Sequence, residues 1–237
     1  MYCGTVVSSS SQKVSGNQPI KPASRPIIQR RTFLNQPQSI QKLRIMVTSP
    51  WYDNIGQILD QLSIKYLPYE NDYNCDIFFL NCGTHDAIAY HQLEVFVQNG
   101  GILYASDLAS SHILEIWPDL MTVRNDTTSC TIRAIIEDSD LLQYLGNSID
   151  VNFDLGSWSR IESVNQGKVI MRSADEGFPI MMEFSIGQGK VFYTSFHNHA
   201  QTAEAEKKLL QLLVIKQVAS ATKQNFRKTV ESMPVSF

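Results

Sequence analysis

Two polar clusters in this chain carry side chains suited to chemistry: Ser106-Asp107, at the end of one apolar run, and Ser195-Phe196-His197-Asn198-His199, at the end of another. A hydroxyl, an imidazole and a carboxylate are the parts of nucleophilic catalysis. Ser106 could attack an ester or amide, His197 or His199 could take its proton, and Asp107 or Glu204 could orient that base. The two imidazoles stand at i and i+2, so in extended backbone they would share a face. With Asp107 or His85 they could then hold a divalent metal. The competing reading is bland: a loop between a strand and a helix is often polar because it is wet. No cofactor is expected, since Gly187-Gln188-Gly189 precedes a strand instead of opening a helix and reads as a hairpin turn, not a phosphate loop.

These groups need elements to hold them. Leu43 to Thr48, Asp76 to Asn81 and Gly101 to Ala105 are short, nearly continuous apolar runs, the pattern of strands covered on both faces. Lys65 to Tyr69 reads as a further strand. Between them Ile55, Ile58, Leu59 and Leu62 make one helical stripe, which Asp53 could cap. A second helix carries Ile88, Leu93, Phe96 and Val97 to a stop at Asn99-Gly100, and Ser110 to Trp117 forms a third. Strand alternating with helix is the grammar of a doubly wound, mostly parallel sheet, flavodoxin-like in its first half.

Beyond Met121 the pattern changes. Cys130 to Ile136, Ile149 to Phe153, Val164 to Arg172 and Pro179 to Phe184 are strand-like, with a short helix over Asp138 to Leu145. The last two strands, Met181 to Phe184 and Lys190 to Phe196, flank the glycine turn as a hairpin. A helix from about Thr202 to Ala219 closes the domain, with Leu209, Leu210, Leu213 and Val214 inward. If the first, third, fourth and last strands run the same way, their carboxyl ends share one rim. That rim would carry Thr48, Ser49, Trp51 and Asp53; Asn81, Gly83, Thr84 and His85; Ser106 and Asp107; and Ser195, His197, Asn198 and His199.

Composition is that of a globular domain with tails: 237 residues, 43% hydrophobic and 18% charged. The net charge of −3 is unevenly spread, because residues 1–52 hold seven Lys or Arg and no Asp or Glu. Residues 1–41, rich in Ser, Gln and Pro, read as a disordered basic leader, residues 42–222 as the folded domain, and residues 223–237 as a flexible tail. The leader has neither an aromatic stacking pattern nor a dense basic block, which argues against nucleic acid as its partner. No window of apolar residues is long enough for a membrane span, and the four cysteines show no paired or metal-ligand spacing, as expected of a reducing cytoplasm.

The NCGTHD turn after the third strand, the NGGILYASD segment and the closing GQGKVFYTSFHNHAQ together resemble the class I glutamine amidotransferase-like superfamily, and most its ThuA-like, non-amidotransferase branch. The resemblance spans about Leu43 to Val218. It implies a nucleophilic cysteine on the elbow after the strand Gly101 to Ala105, an oxyanion-hole glycine near Cys82-Gly83, and a His and Glu near His197 to Glu204. Here the elbow reads Tyr104-Ala105-Ser106-Asp107-Leu108, without cysteine, so thiolate chemistry at the elbow is excluded. Three readings stand: a non-catalytic binding or assembly module with a protein partner met through the leader or the domain surface; a Ser/His hydrolase; and a His-ligated metal protein.

Overall fold

The computed structural model describes residues 38–235. The leader expected over residues 1–41 lies outside them except at its end, where Gln38–Gln41 forms a short helix, α1, that buries Ile40. In the first half follow β1 (Ile45–Val47), α2 (Gly56–Gln61), β2 (Leu67–Pro68), β3 (Ile77–Leu80), α3 (Tyr90–Gln98), β4 (Ile102–Ser106) and α4 (Ser110–Ile116). The second half holds β5 (Met121–Asp126), β6 (Cys130–Ile136), α5 (Ser139–Leu145), β7 (Ser148–Phe153), β8 (Trp158–Val164), β9 (Lys168–Ser173), β10 (Pro179–Ile186), β11 (Gly189–Thr194), α6 (Glu204–Thr222) and α7 (Phe226–Glu231).

Nine strands make one mixed sheet in the order β2-β1-β3-β4-β11-β10-β9-β6-β7, and β5 pairs with β8 in a separate ribbon. Every residue of β1, β3 and β4 is buried, because the side-chain period of two sends alternate residues into two different cores. Val47, Phe79 and Tyr104 join Leu59 of α2 and Leu213 of α6 on one face. Phe78, Leu80 and Leu103 join Leu93 of α3 and Ile113 of α4 on the other. The result is a three-layer α/β fold. The predicted stripe of α2 is the buried one, with Leu59 and Leu62 fully covered.

Strand direction decides where the polar ends go. β1 runs parallel to β3, β3 to β4, and β4 to β11. The glycine turn closes an antiparallel hairpin between β10 and β11, as the sequence indicated. Gly189 is required there by close approach: a Cβ would stand 2.1 Å from the carbonyl oxygen of Val97 at the end of α3. Four parallel carboxyl ends therefore meet on one rim of the sheet.

Three expectations change. The run Val164 to Arg172 takes in only the last residue of β8, a turn at Gly167, where φ is +113°, and then β9; the rest of β8 was not expected as a strand. An apolar residue on each side of the turn made one strand of it in the sequence. β5, half exposed and mixed in polarity, gave no pattern to read. Residues 223–237, expected as a flexible tail, contain α7, whose Phe226 and Val230 are buried one turn apart. Six residues are too few for helical periodicity to stand out.

Candidate functional site

The rim is organised by Asp53, which the loop after β1 delivers to the centre of the parallel strands. Its Oδ2 accepts hydrogen bonds from Ser106 Oγ (2.5 Å) and Asn198 Nδ2 (3.0 Å). Its Oδ1 accepts from the backbone N–H groups of Asn54 (2.8 Å) and Asn198 (2.9 Å). Ser106 Oγ in turn accepts the N–H of Cys82 at 3.2 Å. The Tyr104 hydroxyl donates to Asn198 Oδ1 (3.2 Å) and lies 3.1 Å from Thr194 Oγ1. Asp53 makes no cap on α2, contrary to expectation. Asn81 serves that end instead, accepting the N–H of Ile55 at 3.0 Å and donating to the carbonyl of Thr48 at 2.8 Å.

The residue at the sharp strand-to-helix turn is Asp107, one position beyond the serine singled out from the sequence. Its φ is +47°, a left-handed conformation that Asp tolerates better than most residues and that marks strain held at special sites. Oδ1 of Asp107 accepts the N–H of Ser159 at 2.7 Å. Oδ2 lies 3.7 Å from Cys82 Sγ and 3.9 Å from His197 Nδ1. The other imidazole nitrogen, Nε2, is 3.0 Å from Asp154 Oδ1. Asp107, His197 and Asp154 thus stand in a row.

Asp53, Ser106, Asp107, His197 and Asn198 are all buried, and Ser106 and Asp107 have no exposed surface at all. Among the described residues no Lys or Arg forms an ion pair with Asp53 or Asp107. Burial therefore pushes the Asp107 carboxyl up from its ordinary 3.8 to about 7, although the Ser159 N–H and the Cys82 thiol pull the other way. Burial raises Asp53 too, against the pull of its donors. It lowers His197 below 6.5 despite the nearby charges of Asp53 and Asp154, and it raises the Cys82 thiol, helped by Asp107.

Several sequence-derived site residues are not brought together. Ser106 gives its proton to Asp53, and no hydrogen bond joins it to either imidazole among the described residues. His199 is exposed while His197 is buried, because residues 198–200 form a 3₁₀ turn, and i and i+2 diverge in it. The HxH metal set fails for that reason. No group of three metal-ligating side chains occurs among the described residues. Glu204 is exposed and pairs with Lys207 at 3.0 Å. The acid beside His197 is Asp154, on a loop whose place over the rim no local pattern announces.

Gly83 lies beneath aromatic rings: at φ +72°, its Cβ would stand 2.4 Å from the Tyr52 ring and 3.1 Å from that of Trp51. Trp51 is 60% exposed and meets exposed His85 edge-on at 4.3 Å between centroids. Ser49 and Thr84 are tied to Asp86, through Ser49 N–H (2.6 Å), Ser49 Oγ (3.0 Å) and Thr84 Oγ1 (3.2 Å). Two clefts of about 350 and 470 Å³ lie elsewhere. The first is beside Asp76, Phe96 and Gly100 at the opposite end of the strands, the second beside Arg160 and Phe178.

No protein-family model matches the chain, and no curated protein does. Solved structures share its fold. A putative GMP synthase subunit from Thermoplasma acidophilum is similar with a TM-score of 0.56 at 12% identity, over 80% of this chain and 98% of that one. A putative ThuA-like protein from Bacteroides uniformis gives 0.55 at 10% identity, over 81% and 95%. The mmIFT52 N-terminal domain gives 0.56 at 10% identity, over 73% and 96%. The fold is the flavodoxin-like α/β arrangement of the amidotransferases, and at such identities the likeness extends to the fold alone.

Proposed function

We propose that this protein is a binding or assembly module on an amidotransferase-like fold, without catalysis at the elbow, that works inside a larger complex. One observation carries the reading: the groups that would do chemistry satisfy one another. The Ser106 hydroxyl is spent on Asp53, the elbow holds a carboxyl with no exposed surface, and Gly83 is covered by Tyr52 and Trp51. A serine without an imidazole in reach is a weak nucleophile. Two of the structural neighbours are named as an N-terminal domain and as one subunit of a synthase, which suits a part of something larger. We extend the reading to the cytoplasm on the strength of Cys75 and Cys82, which are thiols outside any disulfide. No helix among the described residues is long and apolar enough to cross a membrane.

Co-purification with mass spectrometry tests it, comparing the full chain with one that begins at Gln38, so that buried Ile40 of α1 is kept. A partner held by both forms assigns binding to the domain surface, and one lost with residues 1–37 assigns it to the leader. Hydrolysis of a p-nitrophenyl ester by the purified chain, abolished by Ser106→Ala, would replace the module with the hydrolase.

A further inference from the structure

We propose that the loop of residues 154–157 is a lid over the buried rim cluster, opened and closed by proton binding at Asp107 and His197. The loop is built like one. Phe153 and Trp158, which bracket it, are both buried, and their rings pack with centroids 4.1 Å apart, so its two ends are pinned together. Between these posts Gly156 is exposed, and a Cβ built there would meet nothing within 4 Å. Asp154, itself about half exposed, reaches inward to His197 Nε2 at 3.0 Å. Behind that contact lie the carboxyl of Asp107, the N–H of Ser159 and the hydroxyl of Ser106.

The buried cluster is poorly suited to hold charge while covered. Asp107 has one backbone N–H and one thiol for company and no cation, and an uncompensated carboxylate in such a place is costly. His197 faces Asp107, Asp53 and Asp154, with His199 on its own loop and Cys82 and the hydroxyls of Tyr104 and Tyr193 near the two buried acids. Opening the lid lets water reach both groups, and each then returns toward its ordinary acidity.

The two arms have opposite signs. Asp107 holds its proton more tightly when shut, so its support for the shut state is complete below pH 3.8 and is lost as pH rises to about 7. His197 resists protonation when shut, so its support is complete above pH 6.5 and is lost as pH falls below that value. In the intact protein the two arms oppose each other, so each masks the other. Removing either one unmasks the other.

Hydrogen exchange of the full chain, corrected for the intrinsic rate at each pH, reads this at the amides of Ser159, bonded to Asp107, and Cys82, bonded to Ser106. In His197→Gln, exchange at Ser159 should rise with pH, by about tenfold per unit between pH 5 and 7 for a single linked proton. In Asp107→Asn it should rise as pH falls below 6.5. The wild-type profile should be flatter than both. Asp154→Ala changes only a loop residue, removes the acceptor that faces His197 Nε2, and serves if the buried variants do not fold. It should speed exchange at both amides by about threefold or more, since loss of a contact worth roughly 0.6 kcal/mol shifts an equilibrium that far, while β3 amides stay unchanged. One common profile in His197→Gln and Asp107→Asn, or unaltered exchange in Asp154→Ala, overturns the lid.

Discussion

Asp107 on the rim and Asp138 at the start of α5 are both buried aspartates whose side chains have no exposed surface, yet they are supported in opposite ways. Asp138 caps α5 by accepting the N–H of Leu141 and takes the ammonium groups of Lys168 at 2.5 Å and Lys216 at 3.0 Å. Burial alone would raise its carboxyl, but the two lysines outweigh that and hold it below the ordinary 3.8. Asp107 has no such cation, and burial carries it to about 7. The seam between α5 and α6 therefore spends its charges on holding the helices, whereas the rim keeps an acid whose ionisation opposes the fold. A carboxyl kept in an unfavourable state at a strained turn points to a site, and a fully paired one points to architecture.

The sharpest way to break this contrast is to make Asp138 resemble Asp107. Lys216→Ala removes a buried ammonium that also contacts Asp140 at 3.0 Å, leaving Asp138 with the half-exposed Lys168 alone. Breaking a buried pair from one side costs about 3–5 kcal/mol, and the remaining lysine should hold the loss to about 2–3 kcal/mol. Urea unfolding at pH 7 measures it. A loss below about 1 kcal/mol would mean that the seam does not depend on its ion pairs.

The converse change makes Asp107 harmless. Asn at that position keeps an acceptor for Ser159 N–H, tolerates positive φ and cannot ionise. At pH 8 the native carboxylate is ionised at a cost, so Asp107→Asn should stabilise by about 1–2 kcal/mol, discounted from the full linkage value. Near pH 3 both states of the aspartate are largely protonated, and the gain should vanish. Unfolding curves at the two pH values decide it, and a gain independent of pH would trace the effect to packing.

Much of this was legible in the residues. The apolar runs ending at Thr48, Asn81 and Ala105 announced strands buried on both faces, and the glycines at 187 and 189 announced the hairpin that sets β11 parallel to β4. Those two facts place Asp107 and His197 on one rim. What stayed hidden was of another kind. A positive φ has no sequence signature in an aspartate, so the elbow was read one residue early, at Ser106. Asp53 looks like a helix cap because its position suits one, and its recruitment by Ser106 and Asn198 depends on residues 53 and 145 positions away. Asp154 reaches His197 only because β7 and β8 fold the loop between them over the rim. Local pattern finds elements and their ends, while partnership between loops is set by tertiary packing.

Lys168 provides the smallest and most exacting comparison, because it holds the same carboxylate as Lys216 from a different environment. Its ammonium meets Asp138 Oδ2 at 2.5 Å, shorter than the 3.0 Å of Lys216, so contact distance alone would make it the stronger partner. Its side chain is 54% exposed, however, against 9% for Lys216. Water and salt screen an exposed charge, and fixing a long side chain costs entropy, so such pairs contribute about 0.2–1 kcal/mol. Lys168→Ala should therefore cost no more than about 1 kcal/mol by urea unfolding, and raising ionic strength should shrink that cost while leaving the Lys216→Ala penalty nearly intact. Equal penalties for the two lysines would show that proximity outweighs burial in this seam, and the contrast with Asp107 would then rest on the missing cation alone.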